Sequence, residues 1–572
     1  MKLTGFLFAA ALLGSCTQPA AEENYTRHVD PKIGTGGHGH VFVGANVPFG
    51  LVQVGPTSIP QTWDWCSGYH ASDSTVIGFS HTHLSGTGIG DLFDVTVMPV
   101  TGEVTYARGT EDDPTSGLWS YADRTQEIAR PGYYSVPLTR YGIRAELTAT
   151  ARVGLHRYTF PASDAAAVVF DLENGGCWDK ATETHLAKEG DRTVTGWRHS
   201  TGWAKDQRVY FAAEFSKPFE KFETIGDNYA RASFRTTDGE QVSLKVALSP
   251  VSVEGARENL AAELPGWDFE ETAKAADKAW NAELSKVKIE TADETARRIF
   301  YTALYHTMIA PSLFCDVNGD YYGSDHAIHR NADFTNYTTF SLWDTYRAAM
   351  PLMTVLHPEK MADIVQTMLT ISDEQGRLPV WHLWGNETDC MVGNPGIVAV
   401  ADAIVKGIGG FDREKAFEAI RKTAMNPDRG NGLRMEYGYI PCEMFNEAVA
   451  YDMEYALADG AAARAAETLG KAEDAKYFEE RSHSYRNYFD PATRFMRGRD
   501  SKKGWRTPFN AFASTHRADD YCEGNAWQYT WLAPHDVAGL VGCFGSRARM
   551  LEKLDSLFTV SSVVEGGETS AQ

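Results

Sequence analysis

Three short stretches in the second half of the chain set a carboxylate beside tryptophan and small polar groups. They are Ser341-Leu-Trp-Asp-Thr-Tyr-Arg347, Trp381-His-Leu-Trp-Gly-Asn-Glu-Thr-Asp-Cys390 and Asp519-Asp-Tyr-Cys-Glu-Gly-Asn-Ala-Trp-Gln-Tyr529. An indole offers a flat apolar face with a polar tip, the surface that stacks on a sugar ring, while carboxylates and amides hydrogen-bond hydroxyls. Cleaving a glycosidic bond asks for two carboxyl groups on opposite sides, one giving a proton and one engaging water. The side chains that fit are Trp343, Asp344, Arg347, Glu387 and Glu523. Each acid also has a plainer reading: Asp344 as a helix-start charge or a partner for Arg347, and Glu523 as a helix cap or surface acid. The three clusters stand at the starts of successive helical units and point to a shared pocket.

Two His-x-His pairs lie earlier, His38/His40 and His81/His83, both among glycines. On a strand, alternate residues share a face, so each pair offers two metal ligands and opens a metal-dependent hydrolase as a further reading. No third ligand follows at a telling spacing, and the glycines favour satisfied polar turns with close backbone packing.

The elements that position these residues change character along the chain. Up to about Val253, short β-rich runs bounded by turn residues predict an antiparallel sandwich; examples are Gly154 to Phe160, Ala166 to Leu172 and Val209 to Phe215. From Glu254 the apolar period becomes 3.6, predicting helices over Glu270 to Lys286, Glu294 to Met308, Met361 to Ser372, Pro395 to Gly407, Arg413 to Ala424, Glu447 to Leu469, Ala472 to Tyr488 and His535 to Gly542. A helical toroid or an irregular bundle fits that run of helices. A length of 572 residues exceeds a single core, so two large domains are expected.

Aromatic residues make up 12%, with 14 Trp and 25 Tyr, a stock of stacking surfaces that suits sugars. The formal net charge of -22 opposes association with a nucleic-acid backbone or an anionic membrane surface. Met-Lys, the apolar run Gly5 to Leu13 and Leu13-Gly-Ser-Cys16 read as a secretory signal ending in a lipobox with Cys16 acylated. The expectation is an exported periplasmic or cell-surface lipoprotein whose membrane contact is that anchor. The other seven cysteines show no CxxC spacing, which argues against a disulfide framework or a zinc site.

Longer motifs then come together. Asp30-Pro-Lys-Ile-Gly-Thr-Gly36, Val47-Pro-Phe-Gly50, Asp64-Trp-Cys-Ser-Gly-Tyr69, Gly78-Phe-Ser-His-Thr-His-Leu-Ser-Gly-Thr-Gly88, Leu342-Trp-Asp-Thr-Tyr-Arg347 and Glu523-Gly-Asn-Ala-Trp-Gln-Tyr529 resemble glycoside hydrolase family 92, calcium-dependent inverting exo-alpha-mannosidases. The resemblance runs from about Asp30 to the last residue. It implies an N-terminal β-sandwich (25–255) joined by a helical linker (256–295) to an (α/α)6 toroid (296–572), after a signal at 1–16. It further implies mannose-containing glycans such as N-glycans as substrate, Glu523 as general acid, Asp344 holding mannose hydroxyls, and Trp63 or Trp65 contacting the leaving sugar. The family's base aspartates and a Gly-Asn-Glu-Pro segment near the calcium are expected downstream of residue 572, so the toroid is expected to be incomplete. A sugar-binding lipoprotein that no longer turns over is the alternative.

Overall fold

The computed structural model describes residues 23–113, 115–515 and 517–560; the signal and Cys16 lie outside them. Two antiparallel sheets form the N-terminal part. One orders its strands Gly55–Thr57, Gly78–Ser80, Thr96–Thr101, Ser163–Asp171, Tyr229–Thr236 and Lys221–Ile225. The other runs Lys180–Glu189, Thr193–Thr201, Gln207–Phe215, Glu240–Ser249, Val153–Phe160, Ile143–Ala149, Tyr133–Leu138 and Ile128–Arg130. Alternation explains the layering: Val209, Phe211, Ala213 and Phe215 turn inward from one strand while Tyr210 and Glu214 face outward. The rings of Phe170 and Phe211 stack across the two sheets with centroids 6.0 Å apart. This is the expected sandwich, followed by the expected helices.

Strand gives way to helix between Ser249 and Val253. Val253–Glu263 packs on the strands Glu240–Ser249 and Gln207–Phe215, and Phe269–Leu284 on Ile143–Ala149, so the first two helices belong to the sandwich surface. Beyond them a second core gathers Trp280, Tyr305, Met361, Leu369, Ile397, Ile404, Phe417 and Ile420. Its central element is the helix Ala448–Thr468, which packs on Pro395–Val405, Arg413–Ala424 and Ala472–Arg481.

The sequence period overran in one place. The helix expected over Ala472 to Tyr488 stops at Arg481, and a 3-10 turn, Ser484–Tyr488, follows. Tertiary bonds fix that break: Ser484 Oγ donates to Asp452 Oδ1 (2.6 Å), and Tyr488 OH donates to Asp452 Oδ2 (2.9 Å). The seven described cysteines are free thiols, five of them buried.

Candidate active site

The segment Leu342–Thr345 is one helical turn, too short to hold itself. A carboxylate from another helix holds it. Glu454 is 3% exposed in the middle of Ala448–Thr468 and accepts three bonds: Trp343 Nε1 (3.0 Å) and Arg347 Nη2 (2.6 Å) donate to Oε1, and Tyr346 OH (2.7 Å) donates to Oε2. Burial pushes the Glu454 carboxyl up, and the Arg347 guanidinium counters it. Asp344 is exposed and accepts from Ser341 Oγ at 2.5 Å, whereas Arg347 pairs with Glu454. The reading of Asp344 as a partner for Arg347 is therefore corrected.

Glu523 stands just ahead of the short helix Ala526–Tyr529. A capping box fixes that entry: Trp527 N donates to Asn525 Oδ1 (3.0 Å) and Asn525 N to Gln528 Oε1 (2.9 Å). Tyr529 OH donates to Cys522 O at 2.7 Å, tying the preceding peptide to the same turn. A Cβ on Gly524 would sit 2.7 Å from Gln528 Oε1, the side-chain end that closes this capping box. Trp343, Arg347, Glu523, Gly524, Gln528 and Leu532 enclose a cavity of about 170 Å³. Glu523 reaches solvent at its mouth, yet partial burial by the walls, and then the charge of Asp344, raise its carboxyl above the usual range; Arg517 acts the other way. A carboxyl that holds its proton more tightly than usual beside an aromatic pocket is equipped as a proton donor.

A wider groove of about 700 Å³ adjoins this pocket through Cys522 and is lined by Trp203 and Lys205 of the sandwich with Met391, Glu447 and Arg517 of the helical part. Asp91 positions Trp203, accepting from the amides of Trp203 (2.9 Å) and Ala204 (2.8 Å), and Trp203 meets Trp381 at 4.7 Å. Asp389, Met391, Glu447, Arg517 and Glu523 all have left-handed backbone, with φ from 45° to 71°. Such strain costs about 1 to 3 kcal/mol per residue and gathers at functional sites. Sequence reading missed Glu454, Trp203 and Glu447. Glu454 had one signal: an acid inside a helix that is apolar all round must be paired.

Two of the three sequence clusters thus share the pocket. The third forms the strand pair Trp381–Leu383 and Asn386–Glu387, and does not start a helix. Glu387 turns back on it: Val380 N (2.8 Å) donates to Oε2, and Trp381 N (2.9 Å) and Asp389 N (3.0 Å) donate to Oε1. Its carboxylate is thereby occupied by backbone amides and lies outside the walls of the 170 Å³ pocket. On the sandwich, Trp63 Nε1 donates to Gly88 O (2.9 Å) with His40 edge-on at 4.0 Å, while Trp65 stacks on His70 at 4.5 Å and donates to Asp73 Oδ2 (2.8 Å). His38 Nδ1 lies 2.6 Å from Asp64 Oδ1. His81 and His83 are buried and bound to the carbonyls of Val95 (2.6 Å) and Gln53 (2.8 Å), the satisfied arrangement favoured above.

An antiparallel sandwich against a helical unit, with an aromatic pocket carrying a protonatable glutamate, defines a two-domain glycoside hydrolase. Comparisons with known proteins agree. The glycosyl hydrolase family 92 N-terminal domain matches residues 28–249, and the glycosyl hydrolase family 92 catalytic domain matches residues 255–571. The chain belongs to glycoside hydrolase family 92. It is similar to a family GH92 alpha-mannosidase from Bacteroides thetaiotaomicron solved in complex with mannoimidazole, with TM-score 0.91 and 40% identity over 94% of this chain and 74% of that one. A second, an inverting mannosidase from Bacteroides thetaiotaomicron VPI-5482, gives TM-score 0.85 and 29% identity over 94% and 74%. An uncharacterized secreted glycosidase of Arthroderma benhamiae is 26% identical over 99% of this chain and 78% of its own.

Calcium, implied by the family, takes six to eight oxygen ligands. Among the described residues the carboxylates here are Glu523 with Asp344 near it, and Asp389, Glu443 and Glu447 along the adjoining groove; no three of them converge on one point, and no step of the reaction is derived through the ion.

Proposed function

We propose that this protein removes terminal alpha-linked mannose from glycans with inversion, Glu523 serving as general acid. The observation that carries the reading is the carboxyl of Glu523, raised by burial and by Asp344 at the mouth of the Trp343 pocket. When protonated it donates that proton to the departing glycosidic oxygen as the bond to the anomeric carbon breaks, while water bonds to that carbon from the opposite face and gives up its own proton to a general-base carboxylate. Asp344, fixed at the rim by its bond from Ser341, accepts from mannose hydroxyls; Trp343 and Arg347, fixed by Glu454, shape the wall. Trp63 or Trp65 contacts the leaving sugar. The chain is exported and anchored through Cys16, in keeping with the lipobox and with the secreted relative.

Alpha-mannobioses of different linkage, incubated with and without a calcium chelator and followed by NMR of the first-formed anomer, test this. Release of β-mannose supports the proposal. Binding without release would establish the sugar-binding alternative, and α-mannose as first product would overturn inversion.

A further inference from the structure

Away from the pocket, the turn between the paired strands Tyr321–Tyr322 and Ile328–His329 lies against the C-terminal end of the helix Pro358–Gln375. Three side chains converge there. His329 Nε2 is 3.1 Å from Asp325 Oδ1 and 3.4 Å from Glu374 Oε1, and the three ligand atoms all lie within 4.8 Å of one another. From this geometry we propose a divalent transition-metal site of the zinc class, held by Asp325, His329 and Glu374.

The distances suit such an ion. Ligands bound tetrahedrally at about 2.0 to 2.1 Å stand about 3.3 to 3.4 Å apart, and both contacts of the imidazole are near that edge. The charge suits it as well. Glu374 has 6% side-chain exposure, and among the described residues no lysine or arginine pairs with it or with Asp325, so the site presents two carboxylates to a single ring. One imidazole and two carboxylates select zinc or a neighbouring transition metal over calcium, which takes oxygen alone.

The surroundings fix each ligand. Tyr321 OH donates to Glu374 Oε1 (2.9 Å), Ser324 N to Glu374 Oε2 (2.7 Å) and Ala327 N to Asp325 Oδ1 (3.0 Å). The His329 ring lies on Tyr321, with centroids 4.9 Å apart and planes 8° from parallel. Outer contacts of this kind orient metal ligands. Space is kept for them: a Cβ on Gly323 would come within 2.6 Å of Asp325 Oδ1 and 2.7 Å of His329 Nε2. Asp325 and His329 are each 35% exposed, which leaves a side open for water as a further ligand. The next residue, Tyr322, donates to Asp206 Oδ2 of the sandwich at 3.0 Å, so an ion here clips the turn that joins the two parts of the chain.

The test uses the full chain stripped with chelator and then saturated with calcium, so that oxygen-only sites are filled. Titration with Zn2+ by calorimetry is expected to show one site, and Co2+ to give the visible absorption of a tetrahedral nitrogen and oxygen environment. His329→Ala and Glu374→Gln should each weaken zinc at least about 100-fold, as loss of even an outer contact costs 10 to 100-fold. The exposed Asp325→Asn keeps the test open if either variant fails to fold. Zinc should also raise the melting temperature of the parent and not of the variants. Identical isotherms in parent and variants, or no zinc heat at all, would overturn the site. So would a melting temperature lowered by His329→Ala and indifferent to zinc throughout, which would make His329 an ion-pair clip.

Discussion

Arg347 Nη2 lies 2.6 Å from Glu454 Oε1, an ion pair whose acid is 3% exposed while its base lines the pocket beside Trp343 and Glu523. The acid sits on the 21-residue helix Ala448–Thr468 and the base just past the four-residue turn Leu342–Thr345, so the pair transmits the rigidity of one to the other.

Glu454→Ala leaves three donors without their acceptor. Breaking a buried pair costs about 3 to 5 kcal/mol, and with Arg347 partly exposed the lower end, about 3 kcal/mol, is expected in urea unfolding. Glu454→Gln keeps the shape and should cost about 1 kcal/mol. Misplacing Trp343 and Arg347 should lower kcat/KM about 10²-fold in the alanine variant and less in the glutamine one.

Glu523→Gln should slow hydrolysis of poor leaving groups by 10² to 10⁴-fold, and of activated aryl mannosides much less. The alkaline limb of the pH profile should follow the same carboxyl. Burial and the Asp344 charge raise it, so Asp344→Asn should move the limb toward lower pH; Arg517 lowers it, so Arg517→Gln should move the limb upward. A limb that stays in place in both variants would detach it from Glu523.

Glu387→Ala removes the acceptor of three backbone amides. A stability loss of about 1 to 3 kcal/mol is expected, with kcat/KM within about threefold of the parent. A large rise in KM with unchanged stability would return Glu387 to the substrate.

Burial holds His83 at about 4 and His81 at about 3, and lowers His156 strongly as well. Unfolded histidine binds its proton near 6.5, so below that pH the unfolded chain takes up protons that the folded chain refuses. Stability from these groups is present above pH 6.5 and is lost as pH falls toward 4. Between pH 7 and pH 5, His83 alone should account for about 2 kcal/mol in urea titrations. His83→Asn should flatten that slope.

Much of this was legible from periodicity and spacing. Arg413–Ala424 matches its apolar period to the residue, and Asp412 caps it, accepting from Glu414 N (2.9 Å) and Lys415 N (3.1 Å), so that local bonds and the period agree on its start. The meeting of Trp343 with Glu523 followed from like composition in two separated motifs. What escaped was long-range and polar. Arg434 is buried with Asp452 (2.7 Å) and Asp459 (2.7 Å), and Glu454 with Arg347; no local pattern names such partners. Glu387 misled because its composition matched the other clusters while its bonds close within its own strand pair.

The left-handed backbone of Glu523 has an outcome for selection. Asparagine adopts that conformation far more readily than glutamate, so Glu523→Asn should relieve strain of about 1 kcal/mol or more and melt higher than the parent. With the proposed acid gone, it should also lose most hydrolysis of poor leaving groups. The protein's thermal optimum and its working sequence therefore diverge at this position, and a library screened for heat resistance alone would drift away from the acid; turnover has to be scored in the same round.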